Sequence, residues 1–264
     1  MSAQLTARDL FPHGSLGRLG RQVAVFTELD STNTYLVAHA NGLPDGTVVS
    51  AEFQSAGRGR LGRQWLAPRG SSILLSILLH EPADSPLVAR ATLPAALAAC
   101  DAIDACTVCR PALRWPNDLM LAGRKLGGVL VESVTTTKGR AVVIGLGLNC
   151  LQQSGHFTGD LAQTATSLEI ESPQPVNRAA IASSLLKHLD TYLAGVEQEP
   201  HNWNTLLQRW KSRCADIGTR VILLHDRRQY SGTVLDISHD GDLLVHLDEG
   251  GRSYFASAST TRLT

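Results

Sequence analysis

The sequence lacks a net charge, a long apolar run and a rich supply of aromatic residues. Its 264 residues include 24 basic and 24 acidic side chains, and only 5% are Phe, Trp or Tyr. Zero net charge removes the global field that draws a protein to nucleic acid or to an anionic membrane. No stretch approaches the ~20 apolar residues that cross a bilayer. We therefore predict no DNA partner and no membrane partner, and any basic site must be local.

The chain also lacks a secretory signal and a disulfide framework. Its N-terminus has no continuous apolar core, and its five cysteines are an odd number in a chain too long to depend on disulfides. Cys106 and Cys109 form a C-x-x-C pair with Cys100 upstream, but no second pair completes the four ligands of a structural zinc site. We predict a cytoplasmic protein with reduced thiols, in which Cys106 and Cys109 are small buried hydrophobes.

Hydrophobic periodicity predicts an α+β fold, with a mixed β-sheet, helices packed on one side and a small C-terminal β-barrel. Strands are expected at 23–29, 47–53, 71–80, 112–115, 126–134 and 139–149, and helices from Asp30 to Gly42 and at 86–104, 176–196 and 202–214. Pro94 is expected to kink or begin the second of these helices. In the last helix the core positions are Trp203, Leu206, Leu207 and Trp210.

Near Ala215 the sequence pattern changes from predicted helices to short β segments separated by turns. Four strands are expected there, and Asp240-Gly241 is a hairpin signal. We place a domain boundary at this point, so that residues 1–215 form the main domain and residues 216–264 form the small barrel-like domain.

The stretch SAGRGRLGRQW, residues 55–65, holds three arginines and three glycines and no acidic residue. It matches G-x-G-x-x-G from Gly57 to Gly62, but a dinucleotide fingerprint must open a helix. Pro68 and Gly70 stop the chain before a second helical turn, so we reject nicotinamide and flavin binding. Two interpretations remain: a clamp whose arginine forks hold phosphate or carboxylate, and a solvated basic turn or Arg-Gly nucleic-acid segment.

A second polar cluster lies in LRWPNDLMLAGRKLGGVLVE, residues 113–132. Pro116 favours an extended residue before it, and Asn117-Asp118 favours a turn after a strand. Lys125, framed by glycines, then comes to the start of the next strand. A carboxylate suited to Mg²⁺, a carboxamide and a lysine are parts that phosphate chemistry uses. The P-loop pattern is absent, so this is not a Walker site, and the cluster favours the anion clamp.

Five segments, in order, resemble the signatures of the biotin protein ligase family. They are DSTN (30–33), EFQSAGRGRLGRQW (52–65), RWPNDL (114–119), GRKLGGVLVE (123–132) and VVIGLGLN (142–149). The terminal β segment is similar to the small barrel that ends this family's proteins. The resemblance implies a ligase that forms biotinoyl-5′-AMP from biotin and Mg-ATP, without a bound prosthetic group. It then transfers biotin to one lysine of a biotin carboxyl carrier protein.

The resemblance also implies roles for individual residues. Biotin would be held by Ser31, Thr32, Gln54, Gly57, Arg58, Lys125 and Gly128. ATP and the adenylate would be held by Arg58, Arg60, Arg63, Trp65, Asn117, Asp118, Lys125 and Asn149. The implied catalytic residues are Lys125, which would bridge the biotin carboxylate and the α-phosphate, Arg60 and Asp118. Asp118 would face the metal or the adenylate, or accept a proton from the incoming lysine. Asn149 can alternatively be a strand-end turn cap.

Two departures from the family pattern affect these expectations. Arg114 stands where the family usually has Lys before WPND, which keeps the charge but not the compact ammonium. The segment before Val23, the start of the first expected strand, is too short for the DNA-binding domain of the family's repressors. We therefore expect a monofunctional ligase, which is either a monomer or a homodimer. A lipoate or octanoate ligase or transferase of the same fold is the alternative, and the GRGRLGR and WPND segments argue against it.

Overall fold

The computed structural model describes residues 4–137, 139–198 and 200–263. Its α-helices are α1 Ala7–Leu10, α2 Thr32–His39, α3 Leu87–Arg90, α4 Thr92–Cys106, α5 Leu161–Thr164, α6 Leu168–Glu171, α7 Arg178–Gln198 and α8 Pro200–Arg213. Its strands are β1 Val23–Phe26, β2 Thr47–Ala51, β3 Ser72–Glu81, β4 Ala112–Arg114, β5 Asp118–Leu121, β6 Arg124–Thr136, β7 Gly139–Asn149, β8 Arg220–His225, β9 Arg228–Ile237, β10 Leu243–Leu247, β11 Arg252–Phe255 and β12 Thr260–Arg262. The predicted α+β class is confirmed.

The first seven strands form one mixed sheet in the order β1-β2-β3-β7-β6-β5-β4. β1 and β2 run parallel and are connected by α2, whereas the other neighbours run antiparallel. The long strands β3 and β7 form the centre and pair from Ser72 with Asn149 to Glu81 with Arg140. As predicted, two strands of this sheet, β2 and β3, flank the arginine loop.

The two faces of the sheet are covered by different elements. On one face Ile73, Leu75 and Ile77 of β3 lie in the large core that includes α4 and α7. Because side chains alternate along a strand, Leu78 points to the other face, where it packs with Leu36 of α2. The long helices therefore form the predicted layer on one side, and the short helix α2 lies on the opposite face.

Two local features differ from the sequence-based expectations. Asp118 is not in a turn but begins β5, where it pairs with Arg114 and Gly128. The break in the second expected helix falls at Ala91, between α3 and α4. Pro94 lies in the first turn of α4, where its missing N–H removes no helical hydrogen bond.

A second sheet follows α8 and is antiparallel, with the order β11-β10-β9-β8-β12. Four of its strands are the expected ones, and Gly241, with φ of 88°, lies in the turn between β9 and β10. β12 was missed because Thr260–Arg262 is short and carries no apolar alternation. The core of this sheet is continuous with the buried Trp203 and Trp210 of α8. The domain boundary near Ala215 stays a prediction.

The structure also tests the predicted burial of Cys106 and Cys109 and the predicted lack of a membrane-spanning helix. Cys109 is buried as predicted, but Cys106 is exposed because it ends α4, so that part of the prediction was wrong. Over the ranges that the structure describes, we find no helix with the length and apolarity needed to span a bilayer.

Candidate functional site

A cavity of about 470 Å³ opens on the face of the sheet that carries α2. The arginine loop, the turn before β5 and the strands β6 and β7 surround it. Its lining contains all the residues that the sequence assigned to biotin, ATP or catalysis except Gly57, namely Ser31, Thr32, Gln54, Arg58, Arg60, Arg63, Trp65, Asn117, Asp118, Lys125, Gly128 and Asn149. Segments far apart in the chain therefore meet at one site.

The floor of the cavity is β7, whose glycines leave room for side chains of other elements. A Cβ at Gly145 would overlap the side-chain oxygen of Asn33, and one at Gly147 would lie 2.7 Å from the Trp65 ring. The buried Trp65 Nε1 has no hydrogen-bond partner in the part of the chain that the structure describes, so an acceptor atom on a ligand would satisfy it. Sequence reasoning missed Asn33, although it belongs to the DSTN segment.

One end of the cavity is built from neutral hydrogen-bonding groups. The Thr32 N–H and Oγ1–H both donate to Gln54 Oε1, at 2.8 and 3.0 Å. Ser76 Oγ lies 2.6 Å from Thr32 Oγ1, and Ser31 caps α2 by accepting from the Thr34 N–H. Because these groups hold one another in place, this end is already organised for a neutral polar ligand.

The arginine loop folds into a small hairpin. The Trp65 N–H donates to the Gly57 carbonyl at 2.9 Å, and the Gly59 N–H donates to the Arg63 carbonyl at 2.7 Å. At its tip Leu61 and Gly62 have φ of 56° and 74°, and Leu61 is 59% exposed. Gly57 is buried, and a Cβ there would overlap the Trp65 carbonyl oxygen. No helix begins in the described residues directly after this hairpin, which agrees with rejecting the dinucleotide fingerprint.

The guanidinium of Arg58 is paired with a carboxylate on the neighbouring strand. Its two terminal nitrogens lie 2.9 and 2.8 Å from the oxygens of Glu132 on β6. Asn33 Nδ2 donates to the same carboxylate at 2.8 Å. Glu132 thus joins the loop, β6 and α2, a role that sequence reasoning missed even though this residue ends the GRKLGGVLVE segment.

Arg60 joins the loop to the C-terminal sheet. It donates to Asn117 Oδ1 at 3.3 Å and to the backbone carbonyls of Ser257 and Thr260. Burial lowers the pKa of Arg60, Asp118 opposes this effect and Arg63 adds to it. Arg63 is exposed and lines the cavity.

The other end of the cavity is charged. Asp118 Oδ1 lies 2.5 Å from Lys125 Nζ, and Asp118 Oδ2 accepts from Arg114 Nη2 at 2.6 Å. Burial alone would raise the pKa of Asp118, but Lys125 and then Arg114 outweigh it and hold this pKa below its ordinary value. Two cations around one ionised carboxylate leave a positive excess, and the adjacent Arg60 increases it, so this wall suits an anion.

Asn149 lies at the end of β7 and is held by protein groups. Its Nδ2 donates to the Thr166 carbonyl at 3.0 Å, and its Oδ1 accepts from Gln152 at 2.7 Å. These bonds fit the alternative of a strand-end cap, while its place in the lining fits a ligand contact. The assignment of Asn149 to the adenylate stays a prediction.

The surroundings of Asp118 bear on the predicted metal. Both of its oxygens already contact cations, and the described residues hold no cluster of three His, Cys, Asp or Glu side chains that could bind a metal. A magnesium ion at Asp118 would have to share these oxygens with Lys125 and Arg114 or displace one of them. The residues present therefore do not fit a metal held by the protein alone, and Mg²⁺ at Asp118 stays a prediction.

Residues of the C-terminal segment also line the cavity, which sequence reasoning missed. They are Thr261, Arg262 and Leu263, on or next to β12. No local pattern marks them, because they reach the cavity only through the pairing of β12 with β8.

Comparisons with known proteins connect this geometry to a family. The model of the biotin/lipoate A/B protein ligase family matches residues 25–149. The chain is 36% identical over 246 residues to the biotin--[acetyl-CoA-carboxylase] ligase of Mycobacterium tuberculosis, covering 90% of this chain and 87% of that protein. It is 31% identical over 234 residues to the bifunctional ligase/repressor BirA of Bacillus spizizenii, covering 86% and 70%.

A solved structure confirms the fold. The biotin protein ligase from Aquifex aeolicus in complex with biotin and ATP matches with a TM-score of 0.77 and 24% identity, covering 92% of this chain and 98% of that chain.

Proposed function

The chain belongs to the biotin/lipoate A/B protein ligase family and is an ATP-dependent biotin ligase, and we propose that the cavity beneath the arginine loop carries out both steps of the reaction. In the first step a biotin carboxylate oxygen attacks the α-phosphorus of ATP, and pyrophosphate leaves. In the second, the ε-amine of a carrier-domain lysine attacks the acyl carbon, and AMP leaves. The observation that supports this proposal is one cavity with a neutral hydrogen-bonding end and a cationic end.

The neutral end is suited to the ureido ring of biotin. A urea is polar but uncharged, and burying it without hydrogen-bond partners is costly. Gln54, held by two hydrogen bonds from Thr32, presents an amide at fixed orientation, and the buried Ser31 adds a hydroxyl. Gly128 lines the cavity without a side chain, which leaves room for the aliphatic tail.

The charged end is suited to the reacting anions. The first step joins a carboxylate to a phosphate, and these groups repel each other. A lysine already in place lowers this repulsion without having to reorganise, so we assign Lys125 to the space between the two anions. Arg60 and Arg63 would hold the phosphates, and Arg58 would act through its backbone because its guanidinium is paired with Glu132.

Asp118 is better suited to orientation than to proton transfer. A general base works best when its pKa lies near the working pH, whereas Lys125 and Arg114 hold the pKa of Asp118 below its ordinary value. We therefore assign Asp118 to fixing Lys125 and, in the second step, to accepting a hydrogen bond from the incoming amine. Asn117 would contact the adenylate beside it.

Magnesium enters this proposal as part of the substrate Mg-ATP. Mg²⁺ commonly binds through substrate phosphates and water with few protein carboxylates, and it would reduce the negative charge of the phosphates. The acceptor is a biotin carboxyl carrier domain of a carboxylase, whose lysine must enter through the mouth of the cavity.

The test is to identify the adenylate directly. The protein is mixed with Mg-ATP and equal amounts of biotin, lipoate and octanoate, and the retained product is identified by mass spectrometry. Biotinoyl-AMP alone is expected, followed by mass addition to one lysine when a carrier domain is supplied. Detection of lipoyl-AMP or octanoyl-AMP would mean that lipoate or octanoate, and not biotin, is the substrate. The absence of any adenylate would contradict the proposal.

A further inference from the structure

We propose that Asp216 is a positioning residue for adenylate formation. This residue lies in the connection between α8 and β8, outside the cavity lining, and matches none of the segments that identified the family. Through one buried carboxylate it holds the backbone of the turn that leads into Asp118 and, at the same time, the guanidinium of Arg262. The inference rests on the proposed function, because the positioned groups are those assigned to the ATP end of the cavity.

The carboxylate of Asp216 has two partners from distant parts of the chain. Its Oδ2 accepts from the Trp115 N–H at 2.6 Å, and its Oδ1 forms an ion pair with Arg262. Asp216 is 2% exposed, so water does not compete for these contacts. The backbone carbonyl of Asp216 accepts from the N–H and Oγ1–H of Thr219. These bonds fix Asp216 in the turn that precedes β8.

Trp115 is held on both its backbone and its side chain by residues that follow α8. Besides the bond from its N–H to Asp216, its indole Nε1 donates to the Gly241 carbonyl at 2.9 Å. The Ala215 N–H also donates to the Leu113 carbonyl at 2.8 Å, so the connection runs alongside β4. Trp115 stands three residues before Asp118, and these contacts set the position of the turn between them.

Arg262 stands on the wall of the cavity and belongs to its charged end. It lines the cavity together with Arg114 and Asp118. Burial lowers the pKa of Arg262, Arg114 lowers it further and Asp118 opposes them, so its charge lies within electrostatic range of both. A guanidinium that must present its fork to phosphate needs a fixed orientation, and the Asp216 carboxylate supplies it.

The position of Asp216 predicts which ligand responds to its removal. Its partners lie on the charged end, whereas the neutral end is organised by Thr32, Gln54 and Ser76 without any contact to the C-terminal sheet in the bonds described above. Loss of the carboxylate is therefore expected to impair the ATP end and to leave the biotin end intact. A purely structural role would weaken both ends together.

The experiment compares Asp216→Asn, Asp216→Ala and the matched control Asp236→Asn. Asp236 lies on β9 of the same sheet and pairs with Lys211 at 2.8 Å, away from the cavity lining. For each protein, the biotin-dependent exchange of pyrophosphate into ATP gives kcat and the KM for ATP, and calorimetry gives the Kd for biotin. In D216N the side-chain oxygen can still accept from Trp115, but the charge that holds Arg262 is gone.

We expect kcat/KM for ATP to fall about tenfold in D216N and further in D216A, because small displacements of reacting groups cost large factors in rate. The Kd for biotin stays within about twofold of the wild-type value, and D236N matches the wild type. In an Arg262→Gln background D216N should add little, since residues that act through one another are not additive. Equal losses for ATP and biotin, no loss in D216N, or full additivity with R262Q would each overturn the inference.

Two measurements keep this test decisive. If circular dichroism shows that the Asp216 variants are unfolded, R262Q carries the test alone, and it must show the same selective loss for ATP. Wild-type protein that forms no biotinoyl-AMP would overturn the proposed function itself. An active wild type with an unaffected D216N would overturn only the role of Asp216.

Discussion

The two ends of the cavity are ordered by different physical means. At the neutral end Thr32, Gln54 and Ser76 satisfy one another through short hydrogen bonds without any net charge. At the charged end Lys125 and Arg114 share the carboxylate of Asp118 and leave a positive excess. The neutral end can therefore recognise the shape and polarity of a substrate, and the charged end can offset the repulsion between reacting anions.

Because the two ends are ordered differently, we expect substitutions at each end to impair a different property of the protein. A hydrogen bond between neutral groups contributes about 1 kcal/mol net, whereas a charge aimed at a developing anion can contribute several times more. Substitutions at the charged end are thus expected to reduce the rate of chemistry, and substitutions at the neutral end to reduce affinity for biotin.

We expect the largest effect from a substitution at the charged end. Lys125→Ala removes the cation that we propose lies between the biotin carboxylate and the α-phosphate, and we expect adenylate formation to fall by about 10²–10³-fold. Circular dichroism should remain native, because the Lys125 side chain is about one-third exposed, at 34%. Lys187→Ala, an exposed position on α7, is the matched control. Near-normal turnover in K125A would remove Lys125 from its assigned role.

A smaller effect should come from the neutral end. Thr32→Val keeps the volume but removes the hydroxyl that donates to Gln54 Oε1 and contacts Ser76. We expect the Kd for biotin to rise about tenfold, which corresponds to about 1.4 kcal/mol, while the KM for ATP stays unchanged. Calorimetry and pyrophosphate exchange measure the two quantities. A parallel rise in both would mean that the two ends are not independent.

The arginine loop lies over both ends and should report their joint occupancy. Its tip is exposed and carries like charges, so we expect it to open locally in the free protein. Trypsin cleavage after Arg58, Arg60 and Arg63 should slow several-fold when biotin and Mg-ATP are added together. The internal control is cleavage at Arg227, in the exposed turn between β8 and β9, and at Arg228, the exposed first residue of β9. Equal cleavage of the loop with and without ligands would contradict a clamp.

The smallest expected effect concerns pH. Because its neighbours hold the pKa of Asp118 below its ordinary value of 3.8, this carboxylate stays ionised throughout the neutral range. A depressed carboxyl pKa stabilises the folded state above the unfolded value and loses that contribution only as pH falls through the folded value, below about pH 4. The ratio of wild-type to Asp118→Asn activity should therefore be flat from about pH 6 to 9. A ratio that titrates near neutrality would identify Asp118 as a proton acceptor.

Much of the fold could be predicted because its signals are local. The apolar runs within 71–80 and 139–149 mark β3 and β7, and the pairing of these strands forms the centre of the sheet. The hairpin at Asp240-Gly241 follows from its turn chemistry. β5 was missed because it is only four residues long and directly follows a proline turn. The face on which α2 packs was missed because the sequence of a single short helix does not indicate which face of the sheet it will cover.

Motifs in the sequence were enough to identify most of the polar residues that line the candidate site. Gly57, Gly145 and Gly147 are required where backbone and side chains approach too closely for a Cβ, and the three arginines of the GRGRLGR segment and all four residues of WPND line the cavity. These residues stand in recognisable motifs, although Gly145 and Gly147 make room for Asn33 and Trp65, which lie far away in the chain.

The contacts that hold those residues in place arise only when the chain is folded. Glu132 pairs with Arg58 across 74 positions of the chain, and Arg60 reaches the Ser257 carbonyl across 197 positions. Asp216 similarly binds Trp115 across 101 positions. The partners in these contacts meet because sheets, helices and loops pack in one particular way. A single charged residue far along the chain has no periodicity or local motif that reveals its partner before the chain is folded.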